Sequence, residues 1–177
     1  CSSDLADVAY MLARDCLLPW LTARDNATFG NTIRNVPRQQ REALADKFLD
    51  AVKLSDFKDR YPKELSHGMR QRVALARTFA MDSSLLLMDE PFGALDAQTK
   101  LRLQEVLLSL WGKDQKTVLF ITHDLNEAIV LSDRVIVMSA RPGRILAYIR
   151  IDLPRPRSVT ELQKNSHFHE LYSELWS

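Results

Sequence analysis

Residues 85–91 read Leu85-Leu86-Leu87-Met88-Asp89-Glu90-Pro91. Four consecutive apolar side chains without polar alternation fit a strand buried on both faces, as in a parallel sheet. The run ends in two adjacent carboxylates. Open α/β sheets gather their ligands at the carboxyl ends of the strands, so Asp89 and Glu90 are candidates for chemistry. Asp89 offers the hard oxygen that Mg²⁺ prefers. Glu90 could orient and deprotonate a water. An acidic, solvated loop after an apolar run reads the same way.

The pattern continues downstream. A helix is predicted over 97–111, with Gly112 as its C-cap. Thr117–Thr122 is a second apolar run and predicts a second buried strand, with His123 just past its end. A short helix over Leu125–Leu131, a strand over Arg134–Met138, a turn at Arg141-Pro142-Gly143-Arg144 and an antiparallel extension over Ile145–Ile151 follow. Pro154-Arg155-Pro156-Arg157 reads as an extended linker. Phe168, Leu171, Tyr172 and Leu175 share one stripe of a final helix.

Upstream lies Leu65-Ser66-His67-Gly68-Met69-Arg70-Gln71-Arg72. Ser66 stands where an N-cap would, ahead of a helix running to about Ala80. Such a turn aims backbone N–H groups and the positive helix end outward, which suits an anion, and Gly68 permits close approach of a phosphate. An ordinary capped helix is the alternative. Residues 38–54 are amphipathic with helical spacing, Leu18-Pro19-Trp20 centres a loop, and Val8–Leu12 forms a short apolar strand. Strands alternating with helices call for an α/β fold with a parallel sheet.

The chain has 177 residues and a formal charge of +1. That length suits one domain, and near-neutral charge argues against a protein built to grip nucleic acid electrostatically. Cys1 and Cys16 have no metal-ligand spacing and form no disulfide framework, so a reducing, cytosolic setting is the default. No apolar run approaches the roughly 20 residues that span a bilayer, and no signal peptide is visible. His167 and His169 could suggest a metal; a solvated helix face fits them better. Cys1-Ser2-Ser3-Asp4-Leu5 matches what a common sequencing adaptor would encode, so the native sequence is expected to start near Ala6; a processed end is the alternative.

Taken together, these segments resemble the ATP-binding subunits of ABC transporters. Residues 65–72 resemble the ABC signature, Leu85–Glu90 the Walker B strand, Ala94-Leu95-Asp96 the D-loop and Thr122-His123-Asp124 the switch-histidine loop, in the family's order and spacing. The resemblance runs from about Val8 to the C-terminus. Leu17-Leu18-Pro19-Trp20-Leu21-Thr22 with Asp25-Asn26 and Phe29-Gly30, together with Arg141–Ile145 and Leu153–Arg157, are similar to the nitrate, sulfonate and taurine importer branch.

The resemblance implies an incomplete RecA-like P-loop NTPase core with an inserted helical subdomain. Residues 16–78 would form that subdomain, 79–151 part of the core and 152–177 a C-terminal extension. It implies that Ser66 and Gly68 touch the γ-phosphate of ATP held by an opposing subunit. Asp89 would bind Mg²⁺, Glu90 would be the general base, Asp96 would lie at the dimer interface and His123 would contact the γ-phosphate. The implied partners are a second ATP-binding subunit arranged head-to-tail, transmembrane permease subunits and, indirectly, an extracytoplasmic solute-binding protein, all served from the cytoplasmic face of the membrane.

Three departures stand against the pattern. No G-x-x-x-x-G-K-[ST] occurs, and the resemblance places that loop upstream of the first residue. Ala13 stands where the family has the Q-loop glutamine, and His67 replaces the first signature glycine, where its bulk could restrict closure of the two subunits. The P-loop strand is normally beside the Walker B and switch strands. Without it the sheet should keep unpaired edges and bare apolar surface. The fragment alone is expected to be weakly stable and inactive. Rival assignments are an ATP-inert cassette that serves in assembly or regulation, and a soluble ABC ATPase outside transport.

Overall fold

The computed structural model describes residues 8–93 and 95–176. The adaptor-like Cys1–Leu5 and Ala94 of the D-loop segment lie outside the described residues.

Strands β1 (Val8–Met11), β2 (Leu85–Asp89) and β3 (Thr117–Ile121) form a parallel sheet in that order. Between β1 and β2 the chain inserts helices α1 (Ala23–Ala27), α2 (Phe29–Ile33), α3 (Arg38–Ala51) and α4 (His67–Ala80); α5 (Ala97–Lys113) links β2 to β3. The expected α/β fold, a parallel sheet with an inserted helical part, is the fold the chain adopts. The pairings Ala9–Leu86–Val118 and Met11–Met88–Phe120 place these six residues on one face of the sheet. Helix α4 packs on β1 and on α1, α3 and α5, and Leu75, Phe79, Leu86 and Met88 are buried in this core. Phe92 and Phe120 close it, their ring centroids 5.7 Å apart.

Four expectations need correction. First, β2 is buried on one face only, because Leu85 and Leu87 are half-exposed. Second, β3 is not a buried strand: Leu119 and Ile121 are each 53% exposed. Run composition reports what a strand can bury, whereas burial depends on what packs against it, and helices cover one face here. Third, β2 already has a neighbour on each side, so any further strand of this sheet must join at β1 or β3 rather than beside β2, where the P-loop strand was expected. Fourth, α5 runs through Gly112 to Lys113 and is capped at Asp114, whose N–H reaches Leu110 O. The indole N–H of Trp111 bonds Lys116 O at 2.8 Å and fixes the turn beyond.

This first compact unit ends at Ile121, and the second runs over Thr122–Ser177. In the second, α6 (Leu125–Leu131) precedes an antiparallel pair, β4 (Arg134–Met138) and β5 (Ile145–Arg150). This pair forms a separate two-stranded sheet. Two helices follow, α7 (Val159–Leu162) and α8 (Ser166–Trp176). Phe168, Leu171 and Leu175 of α8 are buried as their spacing predicts, and α8 packs on α6. The segment read as a linker is fastened. Arg157 is buried and donates to Leu153 O at 2.9 Å and Ser132 O at 2.7 Å, while Arg155 pairs with Asp133 at 2.9 Å. The carbonyls at the end of α6 thereby gain a cationic partner.

Candidate functional site: two helix N-termini in one basic groove

Helix α4 starts because Ser66 adopts an extended backbone and its Oγ accepts the Met69 N–H at 3.3 Å. Helix α5 starts in the same way behind Asp96, whose carboxylate accepts the Thr99 N–H at 3.0 Å. That bond from the Thr99 backbone holds the Asp96 carboxyl below the usual carboxylate range. The two helix starts meet closely: a Cβ added at Gly68 would stand 2.7 Å from Thr99 Cγ2. Packing between α4 and α5 therefore calls for glycine at 68, a reason the sequence did not reveal.

Ser66, His67, Gly68, Asp96 and Thr99 line one groove of about 630 Å³, together with Lys53, Arg72 and Arg102. Arg72 donates to Val52 O at 3.2 Å; burial, and then the nearby Arg102, push its guanidinium below the usual range. Two positive helix ends and three cationic side chains face Asp96 and Glu105, a balance that favours an anion. The His67 ring lies 3.4 Å from the Arg70 guanidinium on its own helix.

At the carboxyl end of β2, Asp89 is half-exposed and accepts the Tyr10 hydroxyl at 3.3 Å. Glu90 has φ 45, in the left-handed region that costs a non-glycine residue about 1–3 kcal/mol. Its N–H reaches Ile121 O at 2.9 Å, and its own carbonyl accepts the Gly93 N–H at 3.1 Å. A Cβ on Gly93 would lie 3.6 Å from Glu90 Oε2, so the carboxylate lies over that glycine. Such strain at an acid is common at functional sites.

Residues 13–16, after β1, are clamped from α4. Gln71 Nε2 donates to Ala13 O at 2.8 Å, Arg70 pairs with Asp15 at 2.9 Å, and Arg77 donates to Asp15 O at 2.7 Å and Cys16 O at 2.8 Å. Residue 13 thus contributes its backbone carbonyl. The following Leu18-Pro19-Trp20 loop is held by buried Asn26. Its amide donates to Leu18 O, Leu21 O and Thr22 O at 3.1, 3.0 and 3.0 Å, and its Oδ1 accepts the Leu18 N–H at 2.7 Å. Trp20 is left 70% exposed.

In the second unit, His123 is exposed and is flanked by Thr122 and by Asp124, the N-cap of α6. Among the described residues no three His, Cys, Asp or Glu side chains gather as a metal cluster. His167 pairs with Glu170 at 3.1 Å, and His169 with Gln163 O at 3.0 Å. No helix among the described residues is long and apolar enough to cross a membrane.

The structure thus brings Ser66, Gly68 and Asp96 into one groove and sets Asp89 and Glu90 at the end of β2. Arg70, Gln71 and Arg77, and the cations of the groove, were missed from sequence. Gln71 did leave a signal: it is a polar residue in the apolar stripe that runs through Ala74, Leu75 and Thr78, and a buried amide in such a stripe needs a partner.

Comparison with known proteins gives a consistent result. The family model described as ABC transporter matches residues 2–93. An ABC transporter ATP-binding protein of Methanocaldococcus jannaschii is 50% identical over 158 residues, 89% of this chain and 59% of that protein. The nitrate import ATP-binding protein of Synechocystis is 46% identical over 177 residues, covering 97% of this chain and 66% of the relative. The taurine import ATP-binding protein of Rhizobium johnstonii is 43% identical over 174 residues, 96% of this chain and 66% of the relative. Among solved structures, a dimeric ATP-binding cassette in a post-hydrolysis state with ADP and phosphate aligns with a TM-score of 0.69 and 28% identity, covering 84% of this chain and 64% of that one. The chain spans 59% to 66% of the length of these curated relatives.

Proposed function

The chain belongs to the ABC transporter family, and on that premise we propose that it is the signature-bearing part of the ATP-hydrolysing subunit of an ABC importer. The observation that carries this assignment is the basic groove in which Ser66 and Gly68, at the start of α4, meet Asp96, at the start of α5. In the assembled protein Ser66 and Gly68 contact the γ-phosphate of ATP held by a second, head-to-tail subunit, and Asp96 lies at the interface between the two. Glu90 is the general base that takes a proton from the attacking water, and His123 contacts the γ-phosphate. Catalysis of this kind works by positioning and charge stabilisation.

Asp89 fits Mg²⁺, an ion commonly held by one or two carboxylates together with substrate phosphates. Bound there, the ion would neutralise charge on the phosphates. The partners are transmembrane permease subunits on the cytoplasmic face of the membrane and, indirectly, an extracytoplasmic solute-binding protein. By likeness to the nitrate and taurine import relatives the solute is a small molecule of the nitrate, sulfonate or taurine kind, and nucleic acid is not among the proposed partners. The 177-residue chain alone is inactive.

The test is Glu90→Gln in the full-length protein. Hydrolysis should fall about 100-fold or more while ATP binding persists. An unchanged rate would sink the assignment of Glu90. A second reading, an ATP-inert cassette, draws on Ala13, whose side chain can neither bind Mg²⁺ nor orient water; it gains if the parent protein binds ATP without hydrolysing it.

A further inference from the structure

Glu127 is 2% exposed, and burial of a carboxyl is costly unless its hydrogen bonds are made. Thr122 Oγ1 donates to Glu127 Oε2 at 2.6 Å, and the same oxygen accepts the Asp124 N–H at 3.0 Å. Asp124 in turn accepts the N–H groups of Asn126 at 2.9 Å and Glu127 at 3.4 Å. Glu127 is the third residue of α6, the position whose side chain reaches back to the N-cap N–H in a capping box. Here the N-cap N–H goes to the Thr122 hydroxyl and that hydroxyl goes to Glu127, so a relay is inserted. The relay spans His123: the residues on both sides of it are tied to the first turn of α6, while its own side chain stays exposed. Capping alone would need only Asp124. Drawing the residue before His123 into the bond network adds a fixed direction for the His123 Cα–Cβ bond.

We propose that Glu127 is a positioning residue for His123, acting through the Thr122 hydroxyl; this rests on the ATP-hydrolysing role proposed for the chain. Glu127 holds the Thr122 rotamer, Thr122 holds the Asp124 amide, and the backbone at His123 is thereby set before any nucleotide arrives. A loosely held His123 would still allow ATP to bind, because a positioning defect at one side chain leaves the contacts proposed for Ser66 and Gly68 in place. It would meet the terminal phosphate in the wrong place.

The experiment is steady-state ATP hydrolysis by the full-length protein carrying T122V, T122S, E127A, E127Q or H123A. Valine matches threonine in shape and removes the hydroxyl; serine restores it; glutamine keeps an oxygen that can accept from Thr122. T122V and E127A should lower kcat about 10–100-fold with little change in KM for ATP, and T122S and E127Q should stay close to the parent. Parental kcat in T122V, or E127Q as damaged as E127A, overturns the positioning role. H123A addresses the underlying assignment separately: parental hydrolysis in H123A removes His123 from the reaction whatever Glu127 does. Amide hydrogen exchange at Asp124 gives a readout without activity. It should quicken in T122V and E127A but not in E127Q, and parental protection in T122V refutes the relay even where E127A folds poorly.

Discussion

Strands β2 and β3 are neighbours with nearly interchangeable apolar runs, Leu85–Met88 and Val118–Ile121, yet Leu86 is 0% exposed and Leu119 is 53% exposed. They share a sheet and a direction. What separates them is position: β2 sits between two strands with Leu86 turned toward the helices, whereas β3 is an edge with Leu119 on the opposite face. A strand's sequence states which surface it offers, and its neighbours decide which surface is used.

The difference should appear first in stability. Leu86→Ala removes a fully buried side chain and should cost about 2–5 kcal/mol, against less than about 1 kcal/mol for Leu119→Ala, by chemical denaturation. Equal costs would mean that β3 is covered in solution. The helical side of the core offers a polar counterpart. Gln71→Ala deprives Ala13 O of its partner and should cost about 1–3 kcal/mol, with faster amide exchange over residues 13–16. An unchanged exchange pattern would show that the two arginines suffice as a clamp.

The exposed strand carries the next prediction. Leu119→Thr with Ile121→Thr should leave stability within about 0.5 kcal/mol per site and raise the monomer fraction in light scattering. A sharp, reversible thermal transition of the monomeric parent chain would contradict the expectation that bare sheet surface makes it aggregate.

The smallest effect concerns Asp96. Its carboxyl pKa is lower folded than unfolded because Thr99 N–H bonds the charged form. Protonation therefore favours the unfolded chain. The contribution is present above the ordinary carboxylate range and fades as pH falls through and below it. Asp96→Asn keeps the cap and removes the charge, so it should flatten the acid limb of the stability curve slightly; an identical limb would show that the charge on Asp96 contributes nothing.

Signals carried by adjacent residues were readable from the sequence. Ser66 announced the start of α4, Leu125–Leu131 matched α6, and the periodicity of Phe168, Leu171 and Leu175 gave the buried stripe of α8. The motif residues Ser66, Gly68 and Asp96 could be picked out as a string. Their convergence on Lys53, Arg72 and Arg102 could not, because it depends on how α3, α4 and α5 pack. The same holds for Arg77, which bonds a carbonyl 62 residues away. Gly112 misled because glycine is a common helix stop, whereas here Asp114 caps the helix beyond it and the Trp111–Lys116 bond fixes the turn. The hairpin, by contrast, was legible: the turn at 141–144 and the antiparallel extension expected over Ile145–Ile151 correspond to β5, which pairs antiparallel with β4.

Asn26 satisfies four backbone groups of the loop that carries Trp20, so the shape of that loop is maintained from below by one buried amide. The outward-facing side chains are then replaceable lettering on a fixed plate, since the backbone path does not depend on them. Residues such as Trp20 can drift or be recruited without refolding the loop, whereas a change at Asn26 would erase every variant of it at once.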